Sequence, residues 1–130
     1  ITPVIITARE SQIVLNRAKE LGITEVHQNC RDKLSKLSEV CNGELNTVAY
    51  IGDDILDLQC MEPVKAAGGI VGCPADAVEE VKAVSDFISG RCGGNGAVRE
   101  FIEWLVDTVR TKDREYGVKG MRFVGMIACQ

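Results

Sequence analysis

Short apolar runs alternate with segments of helical periodicity along this chain, and that alternation limits its folds more than any other feature. Residues 4–7 read as a strand, 11–21 as an amphipathic helix stopped by Gly22, and 23–27 as a short second strand. Residues 32–41 place Leu34, Leu37, Val40 and Cys41 at helical spacing, with Asn42-Gly43 as terminator. Val48-Ala49-Tyr50-Ile51 is a β-rich apolar run, followed by a short helix over 55–61. Residues 66–71 read as a small-residue strand broken by Gly68-Gly69 and ended by Gly72-Cys73-Pro74. Asp76-Ala77-Val78-Glu79 has the form of a capping box opening a helix to Val84. Residues 86–89 form a last short strand, 93–96 a glycine loop, and 97–110 a long helix. Strands alternating with helices predict an α/β fold, a parallel sheet with helices on both faces.

Bulk properties bound the function classes. The 130 residues are one domain long, and 45% hydrophobic content is enough for a real core. A net charge of −4 with both signs interleaved offers no basic block for nucleic-acid phosphates. No apolar stretch is long enough to span a bilayer. The opening Ile1-Thr2-Pro3-Val4 has neither an initiator Met nor the build of a signal peptide, so the chain is expected to begin mid-protein. Cys30, Cys41, Cys60, Cys73, Cys92 and Cys129 are dispersed, with no Cys-x-x-Cys pair and only His27 to join them. Free thiols in a reducing cytoplasm are expected, not a zinc site or a disulfide framework.

Gly52-Asp53-Asp54-Ile55-Leu56-Asp57 puts three carboxylates just beyond a buried strand. Ligands bind at the carboxyl ends of strands in open α/β sheets. Clustered aspartates repel unless a cation or hydrogen-bond donors neutralise them, and hard oxygen ligands favour Mg²⁺ beside phosphate. The alternative is a turn whose aspartates cap the next helix. Thr7-Ala8-Arg9 sets a hydroxyl and a guanidinium at another strand end, a set suited to phosphate or carboxylate, or simply a surface Arg beside a helix start. Arg17 lies two helical turns on and shares a face with Arg9, or is an ordinary solvated charge. Lys33 opposes the helix dipole in a first turn, which an anion or the Asp cluster compensates, unless it pairs with Asp32.

The order of these signals resembles motifs two, three and four of the haloacid dehalogenase superfamily. Ile5-Ile6-Thr7-Ala8-Arg9, Asp32-Lys33-Leu34, Ala49-Tyr50-Ile51-Gly52-Asp53-Asp54 and Gly93-Gly94-Asn95-Gly96-Ala97-Val98-Arg99-Glu100 are similar to its small cap-less octulosonate and nonulosonate phosphatases. Those are the 3-deoxy-octulosonate 8-phosphate phosphatases and the acylneuraminate 9-phosphate phosphatases. The module also occurs behind acylneuraminate cytidylyltransferases. The resemblance implies a three-layer Rossmann-like fold and a Mg²⁺-dependent cytoplasmic phosphatase of sialic acid or lipopolysaccharide biosynthesis. It implies that Thr7 holds the phosphoryl group, Lys33 neutralises its charge and Asp53 ligates Mg²⁺. Asp54 and Asp57 would support the metal and orient Lys33, while Arg9 and Arg17 would reach the substrate's phosphate or carboxylate. It also implies a homotetramer in which a neighbouring subunit closes the site, with the segment from Gly93 to Glu100 serving that assembly or a C-terminal closure. That segment reads equally as a glycine-rich turn entering a helix.

Two departures stand out. Thr7-Ala8-Arg9 replaces the family's usual Thr-Gly-Arg, which adds one methyl at a tight turn. No Asp-x-Asp occurs in the sequence, although the family's nucleophile and acid–base aspartates lie in that motif on the central strand. Residues 1–111 are therefore expected to be a phosphatase core lacking its first, central strand. Residues 112–120 would be a charged linker, and 121–130 an apolar tail, either a terminal strand or the start of a further domain. As a fragment the chain is expected to be poorly stable, with exposed strand edges, and inactive on phosphate monoesters. The alternative is a non-catalytic assembly module attached to a cytidylyltransferase.

Overall fold

A computed structural model of the protein describes residues 4–8, 10, 12–20, 22–93, 96–116 and 122–123. Its strands and helices alternate as the hydrophobic pattern predicts. β1 (Val4–Ile6) leads to α1 (Gln12–Glu20), β2 (Glu25–His27) and α2 (Lys33–Val40). β3 (Val48–Ile51) is followed by a 3-10 turn (Ile55–Asp57), α3 (Leu58–Ala66) and β4 (Ile70–Cys73). α4 (Glu79–Val84), β5 (Phe87–Ile88), α5 (Ala97–Tyr116) and β6 (Arg122–Phe123) complete the order.

Among the described residues every strand pairing is parallel, but the strands fall into two sheets instead of one. β1 pairs with β2, Ile5 opposite Val26. The second sheet has the order β5-β4-β3-β6, with Tyr50 opposite Val71 and Val48 opposite Arg122. β1 and β3 share no ladder; instead β6 bonds the free edge of β3 over Val48 and Ala49. An unpaired edge is a template for any extended segment, and here the chain's own later residues take half of it. The other expected tail residues, 121 and 124–130, lie outside those described.

The two sheets nevertheless share a core. Val48 and Tyr50 alternate with Ala49 and Ile51, so β3 presents one pair to each face. Val48 and Tyr50 pack with Val4 and Ile6 of β1, Leu37 of α2 and Met61 and Val64 of α3. Ala49 and Ile51 pack with Phe101 and Leu105 of α5 on the opposite face. Helices therefore cover both faces of the β3 sheet, the layered arrangement the alternation implies.

Several boundaries differ from expectation for local reasons. α2 ends at Val40, and Asn42 (φ 54°) and Gly43 (φ 76°) turn the chain out of it as predicted. The helix after β3 begins as a 3-10 turn and runs to Ala66 through Pro63, longer than the expected 55–61. Ala66 is thus helical, not the start of a strand, and β4 starts only at Ile70. The small residues between them turn the helix end, with the Gly69 amide bonded to the Val64 carbonyl at 2.9 Å. Asp76 does not cap α4, whose N-cap is Val78 with no side-chain bond; its Oδ1 instead accepts from the Gly93 amide at 2.8 Å. α5 continues to Tyr116, so residues 112–116 are helical and not linker.

Candidate active site

Four of the candidate groups, Lys33, Asp53, Asp54 and Asp57, gather where the end of β3 meets the start of α2. β3 ends at Ile51, and Gly52 lets the chain fold back so that Asp57 lies directly over it. A Cβ at Gly52 would sit 2.6 Å from Asp57 Cβ, closer than any side chain tolerates. Asp57 is buried, at 1% exposure, and accepts along its whole carboxylate. Its Oδ2 takes the amides of Asp53 (3.0 Å) and Asp54 (3.1 Å). Its Oδ1 takes Lys33 Nζ (3.2 Å) and the Tyr50 hydroxyl (3.0 Å). A buried carboxylate is tolerated when it is paired and hydrogen-bonded in this way.

Lys33 reaches this carboxylate from the first turn of α2, with its side chain only 11% exposed. The alternative partner, Asp32, is engaged elsewhere as the α2 N-cap, accepting from Ser35 N (3.0 Å) and Ser35 Oγ (2.8 Å). Those bonds lower the Asp32 pKa. Lys33 therefore sits against the helix dipole because Asp57, 24 residues on, compensates it.

The three aspartates divide the work between the two readings of the sequence. Asp54 and Asp57 cap the 3-10 turn reciprocally, and Asp54 Oδ1 accepts from the Ile55 amide at 2.7 Å. Asp54 is itself exposed, and Asp57 is the one that pairs with Lys33. The Asp53 carboxylate enters neither cap, while its carbonyl accepts from Val78 N at 3.1 Å. Burial, then the neighbouring charges of Asp57, Asp54 and Asp76, raise its pKa. It is a partly exposed carboxylate in a field of like charge that a cation would relieve.

Among the described residues no three His, Cys, Asp or Glu side chains converge into a metal cage. Mg²⁺ commonly takes only one or two protein carboxylates and completes its shell with waters and substrate phosphate. Asp53 has the chemistry and exposure of one such ligand.

Thr7 follows β1 and is buried at 2% exposure. Its amide donates to the His27 carbonyl and its carbonyl accepts from the Cys30 amide, both at 2.9 Å, so the ends of β1 and β2 are tied together. Arg9 lies outside the described residues. Arg17 is on the solvent side of α1, paired with Glu20 at 3.4 Å, and is not brought to Thr7 or Lys33 by its own chain. Tyr50 was not among the candidate residues. Its signal was present: one hydroxyl-bearing side chain in an otherwise apolar buried strand, two residues before the Gly-Asp-Asp turn.

Gly93 donates its amide to Asp76 Oδ1 at 2.8 Å, and Gly94 and Asn95 lie outside the described residues. The Ala75 amide bonds the Arg91 carbonyl (2.8 Å), and Glu100 of α5 accepts from the Gly90 amide (3.0 Å) and pairs with Arg91 (3.5 Å). Glu100 is the member of the 93–100 segment that makes the bonds to Gly90 and Arg91. Cys30, Cys41, Cys60, Cys73 and Cys92 are free thiols, and burial raises those of Cys60, to about 11, and Cys73. No helix among the described residues is long and apolar enough to cross a membrane.

No family model matches the chain. It is 35% identical over 105 residues to the 3-deoxy-D-manno-octulosonate 8-phosphate phosphatase of Escherichia coli, covering 78% of this chain and 54% of that protein. With the enzyme of the same name from Yersinia pestis it shares 34% identity over 122 residues, 90% of this chain and 60% of the relative. The chain thus spans little more than half the length of these relatives. Among solved structures, the Moraxella catarrhalis phosphatase in complex with magnesium, phosphate and KDO superposes with a TM-score of 0.69 at 40% identity, over 88% of this chain and 65% of that one. A probable phosphatase from Pseudomonas syringae superposes with a TM-score of 0.69 at 34% identity, over 92% and 69%.

Proposed function

The chain belongs to the octulosonate and nonulosonate phosphatase family of the haloacid dehalogenase superfamily, and from that premise we propose that it carries the phosphate-handling half of a Mg²⁺-dependent sugar-acid phosphatase. The single observation that supports this reading best is Asp57. One buried carboxylate binds Lys33 and also folds the Asp53-Asp54 turn, so a cation-bearing side chain and a candidate metal ligand are fixed relative to each other. That is the pairing phosphoryl transfer needs, since its catalysis is mostly positioning and charge stabilisation.

In this reading Lys33 and Thr7 hold the transferring phosphoryl group. Asp53 would ligate Mg²⁺, which when bound supplies charge neutralisation and a fixed orientation for a phosphate oxygen. Asp54 and Asp57 shape the turn, and Asp57 orients Lys33. Arg9 and Arg17 bind the substrate's phosphate or carboxylate. Arg17 faces solvent and would serve an adjoining subunit of a tetramer as readily as its own. The nucleophile is an Asp-x-Asp carboxylate outside this sequence, forming an aspartyl-phosphate that water then hydrolyses. The substrate is the phosphate monoester of a 2-keto-3-deoxy sugar acid. The octulosonate 8-phosphate is favoured over an acylneuraminate 9-phosphate because the relatives carry that name. The setting is the cytoplasm.

The test joins the chain to an upstream segment bearing Asp-x-Asp and assays both sugar-acid phosphates with Mg²⁺. Asp53→Ala abolishes turnover, Lys33→Ala nearly does so, and Arg17→Ala chiefly raises KM. Full activity of the Asp53→Ala protein would refute the metal assignment. The non-catalytic alternative, an assembly module for a cytidylyltransferase, keeps one supporting observation, the absence of Asp-x-Asp from the sequence.

A further inference from the structure

The residues that end α2 do so with a complete Schellman turn. The Gly43 amide donates to the Ser38 carbonyl at 2.8 Å, and the Asn42 amide to that of Glu39 at 3.4 Å. Asn42 (φ 54°) and Gly43 (φ 76°) are both left-handed, and both are exposed. Leu37 and Cys41, on either side of Ser38, are buried and seat this last turn on the core. Asn-Gly is also a reactive pair, because glycine has no side chain to shield its own nitrogen. Nothing else crowds it here, since even a Cβ on Gly43 would meet nothing within 4 Å. Once that nitrogen gives up its proton, it attacks Cγ of the Asn42 carboxamide. A new C–N bond closes a five-membered imide, the bond to the side-chain nitrogen breaks, and ammonia leaves with the proton. Water then opens the imide at either carbonyl and leaves aspartate or isoaspartate.

The closed turn withholds this nucleophile, because the proton that must be lost is the one donated to Ser38. The products do not fit back. Aspartate at this position adds a negative charge to a helix C-terminus, where the dipole is negative too. Isoaspartate lengthens the backbone by one carbon inside the ring that the Gly43–Ser38 bond closes. We propose that Asn42 is a deamidation site gated by the end of α2: it converts only while the Gly43–Ser38 bond is open, and isoaspartate stops the turn from re-forming. None of this depends on the function proposed above.

The whole chain is incubated in warm, mildly alkaline buffer, and carboxamide loss is followed peptide by peptide by mass spectrometry. The sequence has a second Asn-Gly pair, Asn95-Gly96, which is scored separately. Amide hydrogen exchange at Gly43 is measured in the same sample, and a free peptide of residues 40–44 supplies the ungated rate. Asn42 should convert at least about ten times more slowly in the chain than in the peptide, by the factor that protects the Gly43 amide. Denaturing urea should restore the peptide rate. Conversion at the peptide rate in the native chain, or slowing that departs from the Gly43 protection, overturns the gate. Asn42→Gly keeps a residue suited to the left-handed position and removes the reacting carboxamide. The mass gain should vanish from that peptide; a gain that persists places the reaction at Asn46 and refutes the site. The isolated isoaspartate form should melt below the parent chain, and equal melting refutes the effect on the turn.

Discussion

The two sheets of this protein are built to different standards. The β3 sheet is covered on both faces and carries a polar turn in which one carboxylate accepts four donors. The β1–β2 pair shares its core but not its ladder, and α1 buries only Ala18 while Ile13 is 80% exposed. Thr7 is held there by backbone bonds to His27 and Cys30. Half of the candidate site is therefore organised internally, and the other half leans on its neighbours. A preorganised electrostatic centre needs fixed donors, and the β3 side supplies them around Asp57.

The contrast breaks most sharply at Asp57. Asp57→Ala removes an acceptor shared by a nearly buried ammonium, a buried hydroxyl and two amides, and such losses cost about 3–5 kcal/mol. Urea unfolding should show that loss, whereas an alanine at exposed Ile13 on α1 should change little. Gly52→Ala comes next. Its new Cβ meets the pinned Asp57 side chain, and overpacking of this kind costs about 1–3 kcal/mol by the same measurement.

A pH scan separates the half-exposed Asp53 from the buried Asp57. Because the folded state raises the Asp53 pKa, protonated Asp53 favours folding. That contribution is full below the unfolded pKa of about 4 and is lost as pH rises through the higher folded value. Asp53→Asn should raise the neutral-pH Tm, with the gain vanishing below about pH 4. Adding Mg²⁺ should raise the Tm of the parent chain and not that of Asp53→Asn. The smallest effect belongs to Arg17→Ala, whose exposed pair with Glu20 contributes about 0.5 kcal/mol or less to stability. A large loss there would mean that α1 is more firmly seated than its exposure indicates.

What the sequence disclosed follows from which forces are local. Strand and helix alternation and the Asn42-Gly43 stop depend on near neighbours, and they were readable. The small residues 66–69 misled because a helix ending and a weak strand have the same composition; only the Gly69–Val64 bond distinguishes them. Asp76 fitted a capping pattern but found a stronger claim 17 residues away, at the Gly93 amide. Lys33 and Asp57 were each visible as candidates. The resemblance implied that Lys33 and Asp57 act together, and they meet at 3.2 Å; that Tyr50 bonds the same oxygen depends on tertiary approach that no spacing encodes. The division of β1 from β3 likewise rests on long-range pairing.

Gly72 has one further consequence. A Cβ there would lie 2.5 Å from the Phe101 ring, so β4 presents a socket into which that ring fits. The ring acts as a dowel: α5 cannot slide along the sheet or roll without withdrawing it. Glu100, its neighbour, holds Gly90 and Arg91, and Arg91 in turn meets Ala75 beside the Asp53 turn. A missing side chain in the middle of a strand thus sets the alignment of a loop at the strand's far end. Filling the socket with even a methyl would be read out there first.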